Sequence, residues 1–150
     1  MEIKNRKALF DYEVIEKLIA GIVLRGTEIK SIREGKASLV DTFCIIKDNE
    51  VILKNSYIKK FDIAAMTNHE EYCDRKLLLS KQEIRRWKKP LLNPGITIVP
   101  IKMFINKKGL CKVEIALCKG KKEYDKRESI KEKDNKRELD RIKKYNNTKL

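Results

Sequence analysis

The sequence predicts a mainly β protein: a small antiparallel OB-like barrel with short flanking helices, followed by a basic C-terminal tail that is disordered or helical. Three observations carry this expectation. Apolar residues recur in many short runs with strand-like alternation, separated by turn-forming residues. Only two short segments between those runs read as helices, too few and too short to alternate with strands as in a doubly wound α/β fold. The pattern then stops at Lys119, beyond which apolar residues become sparse and charged residues dominate. A chain of 150 residues can bury a core without disulfides or metal, so residues 1–118 read as one barrel and 119–150 as its tail.

The first strand is Val14–Leu24, VIEKLIAGIVL, rich in β-branched and leucine side chains. Gly21 within it marks a bulge, or a bend where the strand curves around a small barrel. GTEIKSIREGK follows as a short helix: Thr27 can cap it, Ile29 and Ile32 share a face, and Gly35 can end it. SLVDTFCIIK and EVILKNSYIKKF flank Asp48-Asn49, which reads as a tight hairpin turn. The run Arg75-Lys76-Leu77-Leu78-Leu79 leaves two readings open, because three consecutive leucines cannot all face one core from a strand or a helix. Either a loop buries all three, or one is exposed for apolar contact with an unstacked base or loop of RNA. Ser80-Lys81-Gln82-Glu83 is a capping box that opens a second helix, with Ile84 and Trp87 on one side, and Pro90 ends it. Asn93-Pro94-Gly95 is a turn. The last unit of the body is a hairpin, ITIVPIKMFI and LCKVEIALC around Asn106 to Gly109. Its second strand sends Val113, Ile115 and Leu117 one way and Lys112, Glu114 and Ala116 the other.

The formal net charge is +14, spread along the whole chain, which predicts attraction to RNA, DNA or an anionic membrane surface. Membrane is the poorest of the three, since no apolar run approaches the ~18–20 residues that span a bilayer. The N-terminus MEIKNRKALFDYE lacks the apolar core of a secretory signal, so a cytoplasmic location is expected. Basic residues gather at strand ends and loops: Arg6-Lys7 after Asn5, Arg25, Arg33 with Lys36, Lys59-Lys60, Arg75-Lys76, Arg85-Arg86 and Lys107-Lys108. Each alone is a solvated surface charge; together they make a phosphate-binding surface, with up to ~0.9 of a counterion released per phosphate neutralised.

Chemistry-bearing constellations are few. There is one histidine, no glycine-rich phosphate loop and no nucleophile elbow. The richest stretch, His69-Glu70-Glu71-Tyr72-Cys73-Asp74, admits a general base with a carboxylate partner, as in a small ribonuclease, but reads more simply as a polar loop. Cys44, Cys73, Cys111 and Cys118 fall at irregular spacings without a CxxC, which argues against a zinc knuckle or a disulfide framework. His69 and Cys73 have helical ligand spacing, yet two ligands do not make a zinc site. No enzyme activity, cofactor or metal is expected.

In the tail, Glu123 with Arg127, Glu132 with Lys136 and Asp140 with Lys144 stand at i, i+4 with the acid first, an order that supports a helix by ~0.2–0.5 kcal/mol per pair. No apolar stripe accompanies them, so the segment has no face to bury. It reads either as a solubilising extension or as a partly disordered segment that becomes helical along a polyanion. Tyr124, among lysines, can then stack on a base.

Five stretches resemble the SmpB family of SsrA-binding proteins, which partner tmRNA in bacterial trans-translation: Asn5-Arg6-Lys7-Ala8, AGIVLRGTEIKSIREGKASLVD, RKLLL, LCKVEIALCKGKK and YDKRESIKEKDNKRE. They occur in family order over nearly the whole chain. The resemblance implies a non-enzymatic, OB-like barrel that grips the tRNA-like domain of tmRNA, while the tail enters the decoding centre and the empty mRNA channel of a stalled ribosome. Its partners would be tmRNA and the small-subunit rRNA, with no membrane and a monomeric free form. It would place Asn5, Arg6, Lys7, Lys36, Arg75, Lys76, Leu78 and Lys112 at the tmRNA contact. Gly120, Lys121, Lys122, Tyr124, Asp125, Lys126 and Arg127 would act in the decoding centre. Ile130, Lys131, Lys133, Lys136, Arg137, Arg141, Lys143 and Lys144 would line the channel. Where the family usually has a glutamate just before the Ala-Gly of the first strand, this chain has Ile19, with Glu16 and Lys17 as the nearby groups that can stand in. The competing readings are a general single-strand RNA-binding OB protein of the translation machinery and a ribonuclease built on His69.

Overall fold

The computed structural model describes residues 2–61 and 68–120. The chain divides into two units, Met1–Gly120 and Lys121–Leu150, and the described residues all belong to the first. Along it run β1 (Glu2–Lys4), α1 (Arg6–Asp11), β2 (Tyr12–Ile22), α2 (Gly26–Arg33), β3 (Ala37–Ser38), β4 (Phe43–Lys47), β5 (Glu50–Lys54), β6 (Tyr57–Ile58), β7 (Arg75–Leu78), α3 (Lys81–Lys88), a 3-10 turn (Pro90–Leu92), β8 (Ile96–Ile105) and β9 (Cys111–Gly120).

Six antiparallel strands close into a barrel. The order is β8-β4-β5-β7-β2-β9, and β9 pairs back onto β8. Strand β8 is long enough to serve several neighbours. One edge carries β9; the other meets β4 at Ile98, opposite Cys44, and β1 at Phe104, opposite Glu2. Closure removes the exposed edges that an open sheet would leave. A separate two-stranded ribbon joins β3 to β6.

Local chemistry sets the connections. Asp48 and Asn49 both take left-handed backbone angles, φ 51° and 60°, which is the primed turn whose twist suits a two-residue hairpin. Asn106 closes the β8–β9 turn by accepting from the N–H groups of Lys108 and Leu110 at 3.0 and 2.9 Å, and Gly109 supplies the required φ of +80°. The capping box forms as expected: Ser80 Oγ accepts from Glu83 N at 3.2 Å, and Glu83 Oε1 accepts from Ser80 N at 3.0 Å. Trp87 is buried, and its indole N–H donates to Glu16 Oε2 at 2.9 Å, while Arg86 pairs with the same carboxylate. This couples α3 to β2.

The core takes Ala20, Val51, Leu53, Leu77, Ile98, Met103, Val113, Ile115 and Leu117 from the strands, with Ile32 from α2 and Ile84 and Trp87 from α3. Fully burying one such large side chain contributes ~1.5–3 kcal/mol. The alternation expected of β9 holds, but Ala116 and Cys118 on its other face are also buried, because α1 lays Ala8 against Val99 and Cys118.

The structure refines four of the sequence expectations. The bulge of β2 lies at Ile15, between Val14 and Glu16, whereas Gly21 pairs regularly with Leu78 on one side and Lys112 on the other. Thr27 does not cap α2: Glu28 Oε1 accepts from Arg25 N at 3.0 Å instead, and the Thr27 hydroxyl bonds to His69. Of the two readings of Arg75–Leu79, the one that exposes a leucine holds, and the loop reading is corrected: Arg75–Leu78 is a strand with Leu77 buried and Leu78 exposed. Finally, β9 extends to Gly120, two residues past the expected end of the body.

Candidate RNA-binding surface

Strand register lays two rows of side chains across the outer face of the barrel. In the first row Leu78 (β7), Gly21 (β2), Lys112 (β9) and Phe104 (β8) stand opposite one another in turn. In the second, Ile19 (β2), Glu114 (β9), Lys102 (β8) and Lys4 (β1) do so. Gly21 stands between Leu78 and Lys112 in the first row. A Cβ built there would lie 3.4 Å from Leu78 Cβ and 3.7 Å from Lys112 Nζ, both ordinary contacts, so an exposed leucine and an ammonium group border the glycine. An apolar surface beside a cation suits a folded RNA, whose sugars and bases present carbon next to phosphate.

The second row is charged and paired. Glu114 is contacted by Lys17 at 3.8 Å and by Lys102 at 3.6 Å, and Lys102 also reaches Glu2 at 3.6 Å and lies over the Phe104 ring at 5.4 Å. A cleft of about 250 Å³ beside this row is lined by Arg6, Leu9, Lys17, Lys102 and Glu114 among others. The carboxylate directly across from Ile19 is therefore Glu114. Glu16 is committed to Trp87 and Arg86, and Lys17 to Glu114.

The other residues singled out in the sequence separate into exposed and enclosed groups. Arg6 and Lys7 are exposed on α1; Lys7 lies 3.5 Å from Asp41 in a cleft of about 210 Å³ that also includes Tyr12 and Phe43. Lys76 is exposed and pairs with Glu50 at 2.9 Å. Lys36, just before β3, pairs with Glu34 at 3.1 Å. Asn5 is buried: its side chain accepts from Ala8 N, donates to the Pro100 carbonyl at 2.9 Å, and so ties the start of α1 to β8. Arg75 is 3% exposed. Its Nε donates to Glu28 Oε2 at 2.5 Å, Nη1 to Ser56 O and Oγ at 2.7 and 2.8 Å, and Nη2 to the carbonyls of Glu70 and Glu71 at 3.1 and 3.2 Å. That guanidinium faces the interior. Gly120 is exposed at the end of β9. Lys121, Lys122, Tyr124, Asp125, Lys126, Arg127 and the channel residues Ile130 to Lys144 lie outside the described residues.

His69 is 2% exposed and both ring nitrogens are engaged. Nε2 stands 2.9 Å from the Ile58 carbonyl, which can only accept, so Nε2 carries a proton; Nδ1 lies 2.9 Å from Thr27 Oγ1. A ring held this way has no nitrogen left to reach a substrate. All four cysteines are free thiols, and burial pushes Cys111 and Cys118 up to about 11. No group of three or more metal-ligating side chains occurs among the described residues, and no helix among them is long and apolar enough to cross a membrane.

Sequence reasoning missed Lys102, Phe104 and Gly21 as members of the surface, and named Lys17 only as a stand-in for the family glutamate. Alternation in ITIVPIKMFI carried the signal for two of them, since Lys102 and Phe104 flank inward-facing Met103.

The family described as SmpB protein matches residues 2–145. This chain belongs to the SmpB family. An SsrA-binding protein of Phocaeicola vulgatus is 56% identical over 142 residues, covering 95% of each chain. That of Flavobacterium johnsoniae is 52% identical over 147 residues, covering 98% of this chain and 97% of its own. Among solved structures, a chain from "tmRNA-SmpB: a journey to the center of the bacterial ribosome" superposes with a TM-score of 0.69 at 40% identity, covering 81% of this chain and 85% of that one. Like that relative, this SmpB family member is built mainly of antiparallel strands with a few short helices.

Proposed function

We propose that this protein binds the tRNA-like domain of tmRNA and delivers it to stalled ribosomes for trans-translation. The observation that carries the reading is the row Leu78–Gly21–Lys112–Phe104, found in a chain of the SmpB family. In this reading Leu78 packs against sugar and base carbon, and Lys112, Lys76, Lys36, Arg6 and Lys7 neutralise phosphates. Asn5 and Arg75 act by positioning: Asn5 fixes the start of α1, which carries Arg6 and Lys7, and Arg75 anchors the segment that leads into β7. Gly120, Lys121, Lys122, Tyr124, Asp125, Lys126 and Arg127 serve the decoding centre, and Ile130, Lys131, Lys133, Lys136, Arg137, Arg141, Lys143 and Lys144 the mRNA channel. The role is that of an RNA-binding factor acting on the ribosome, hence in the cytoplasm, and it asks for no catalytic group.

Competition between labelled tmRNA and bulk tRNA, at two salt concentrations, tests the reading against that of a general RNA binder. The expected result is preferential binding of tmRNA that weakens with salt, by a slope of ~0.7–0.9 per phosphate neutralised. Bulk tRNA competing as well as tmRNA would reject it.

A further inference from the structure

We infer that Tyr72, backed by Tyr57, is a stacking platform for one unpaired nucleobase; the inference rests on the RNA-binding function proposed above. Tyr72 is the most exposed aromatic side chain among the described residues, 61% open to solvent, followed by Phe43 at 43%. An open tyrosine on a mobile loop would mean little. This one is held from several directions. Its backbone forms a bridge with Tyr57, and the two ring centroids lie 5.0 Å apart at 45°. The Tyr57 hydroxyl donates to the Glu71 carboxylate at 3.2 Å, and that carboxylate also accepts from Lys60 N at 3.2 Å. From inside, Arg75 holds the carbonyls of Glu70 and Glu71. The backbone that carries the ring is thus held, with the Tyr57 ring behind it, before any ligand arrives, which lowers the ordering cost of binding.

The backbone around the ring carries charge of both signs: Glu70 and Glu71 precede it, and Lys60 N donates to the Glu71 carboxylate. Lys59 and Lys60 follow β6 directly and make no ion pair among the described residues, while Lys54 and Asp74 neutralise each other at 2.6 Å. An open ring on a held backbone suits a base splayed out of a loop, with Lys59 and Lys60 as the cations available to its flanking phosphates. Stacking accepts any base, so the ligand is an unpaired nucleotide of whichever identity the RNA presents there, and not a duplex.

The test is tmRNA binding by the full chain, measured at several salt concentrations for wild type, Tyr72→Ala, Tyr72→Phe and Lys112→Ala. Tyr72→Ala is expected to weaken binding about 5- to 150-fold, the range of one lost base–aromatic stack. The loss should be equal at every salt concentration, because a ring releases no counterions, and Tyr72→Phe should stay within about twofold of wild type. Lys112→Ala should instead flatten the salt dependence. Tyr72→Ala binding like wild type while Lys112→Ala weakens would overturn the platform and leave the RNA-binding function standing. Equal losses from Tyr72→Phe and Tyr72→Ala would also overturn it, since the hydroxyl and not the ring would then be responsible. Wild type binding tmRNA no better than bulk tRNA would remove function and platform together.

Discussion

Replacing Arg75 by methionine separates an interior clamp from a direct phosphate contact. The guanidinium and the Glu28 side chain that it meets are 2% and 6% exposed, so the substitution leaves a carboxylate enclosed without its cation. Breaking one side of a buried ion pair costs ~3–5 kcal/mol, and the carbonyls of Ser56, Glu70 and Glu71 lose their donor as well. At roughly 3–5 °C per kcal/mol for a unit of this size, the melting temperature should fall by roughly 10–20 °C. Thermal and urea unfolding, followed by the fluorescence of buried Trp87, would measure it. Glu28→Gln combined with Arg75→Met should lose less than the sum of the single changes, because the pair is then neutral and Gln can still accept from Arg25 N–H. The reasoning fails if Arg75→Met melts within about 3 °C of wild type while tmRNA affinity collapses, since that would put the guanidinium on the RNA.

Two further outcomes follow from the geometry. Burial raises Cys111 and Cys118 from 9.0 to about 11, so the folded protein resists forming thiolates that the unfolded chain forms readily. The stability tied to these thiols is complete below pH 9 and declines as pH climbs toward 11; urea midpoints across that window should drop, and a flat profile would count against it. Ser80→Ala should cost ~0.5–2 kcal/mol by removing the acceptor of Glu83 N, read as a lower urea midpoint with an unchanged slope.

Much of this barrel was legible in short-range chemistry. The Asp48-Asn49 hairpin, the Ser80 capping box, the Asn106–Gly109 turn and the inward set Val113, Ile115 and Leu117 all depend on neighbours within a few positions, and all stand as read. Long-range partnerships were not legible. Arg75 reads as a surface cation until Glu28, 47 positions away, is seen to enclose it, and Glu16 gives no sign that it serves Trp87, 71 positions on. Helix α1 escaped because its burial is supplied by β8 and β9, which roof only Ala8. Gly21 was noticed as a bulge or a bend, but the bulge lies at Ile15, and the place of Gly21 between Leu78 and Lys112 on neighbouring strands needed the register. Of the surface residues, Leu78 was legible because three leucines in a row force one outward, whereas its meeting with Lys112 needed the register.

Reconstituted peptide tagging on stalled ribosomes supplied with tmRNA tests the central claim most directly, comparing the full chain with one ending at Lys122. The full chain should support tagging, and the shortened one should bind tmRNA yet tag nothing. Failure of the full chain to tag, or equal tagging by both, would contradict the account.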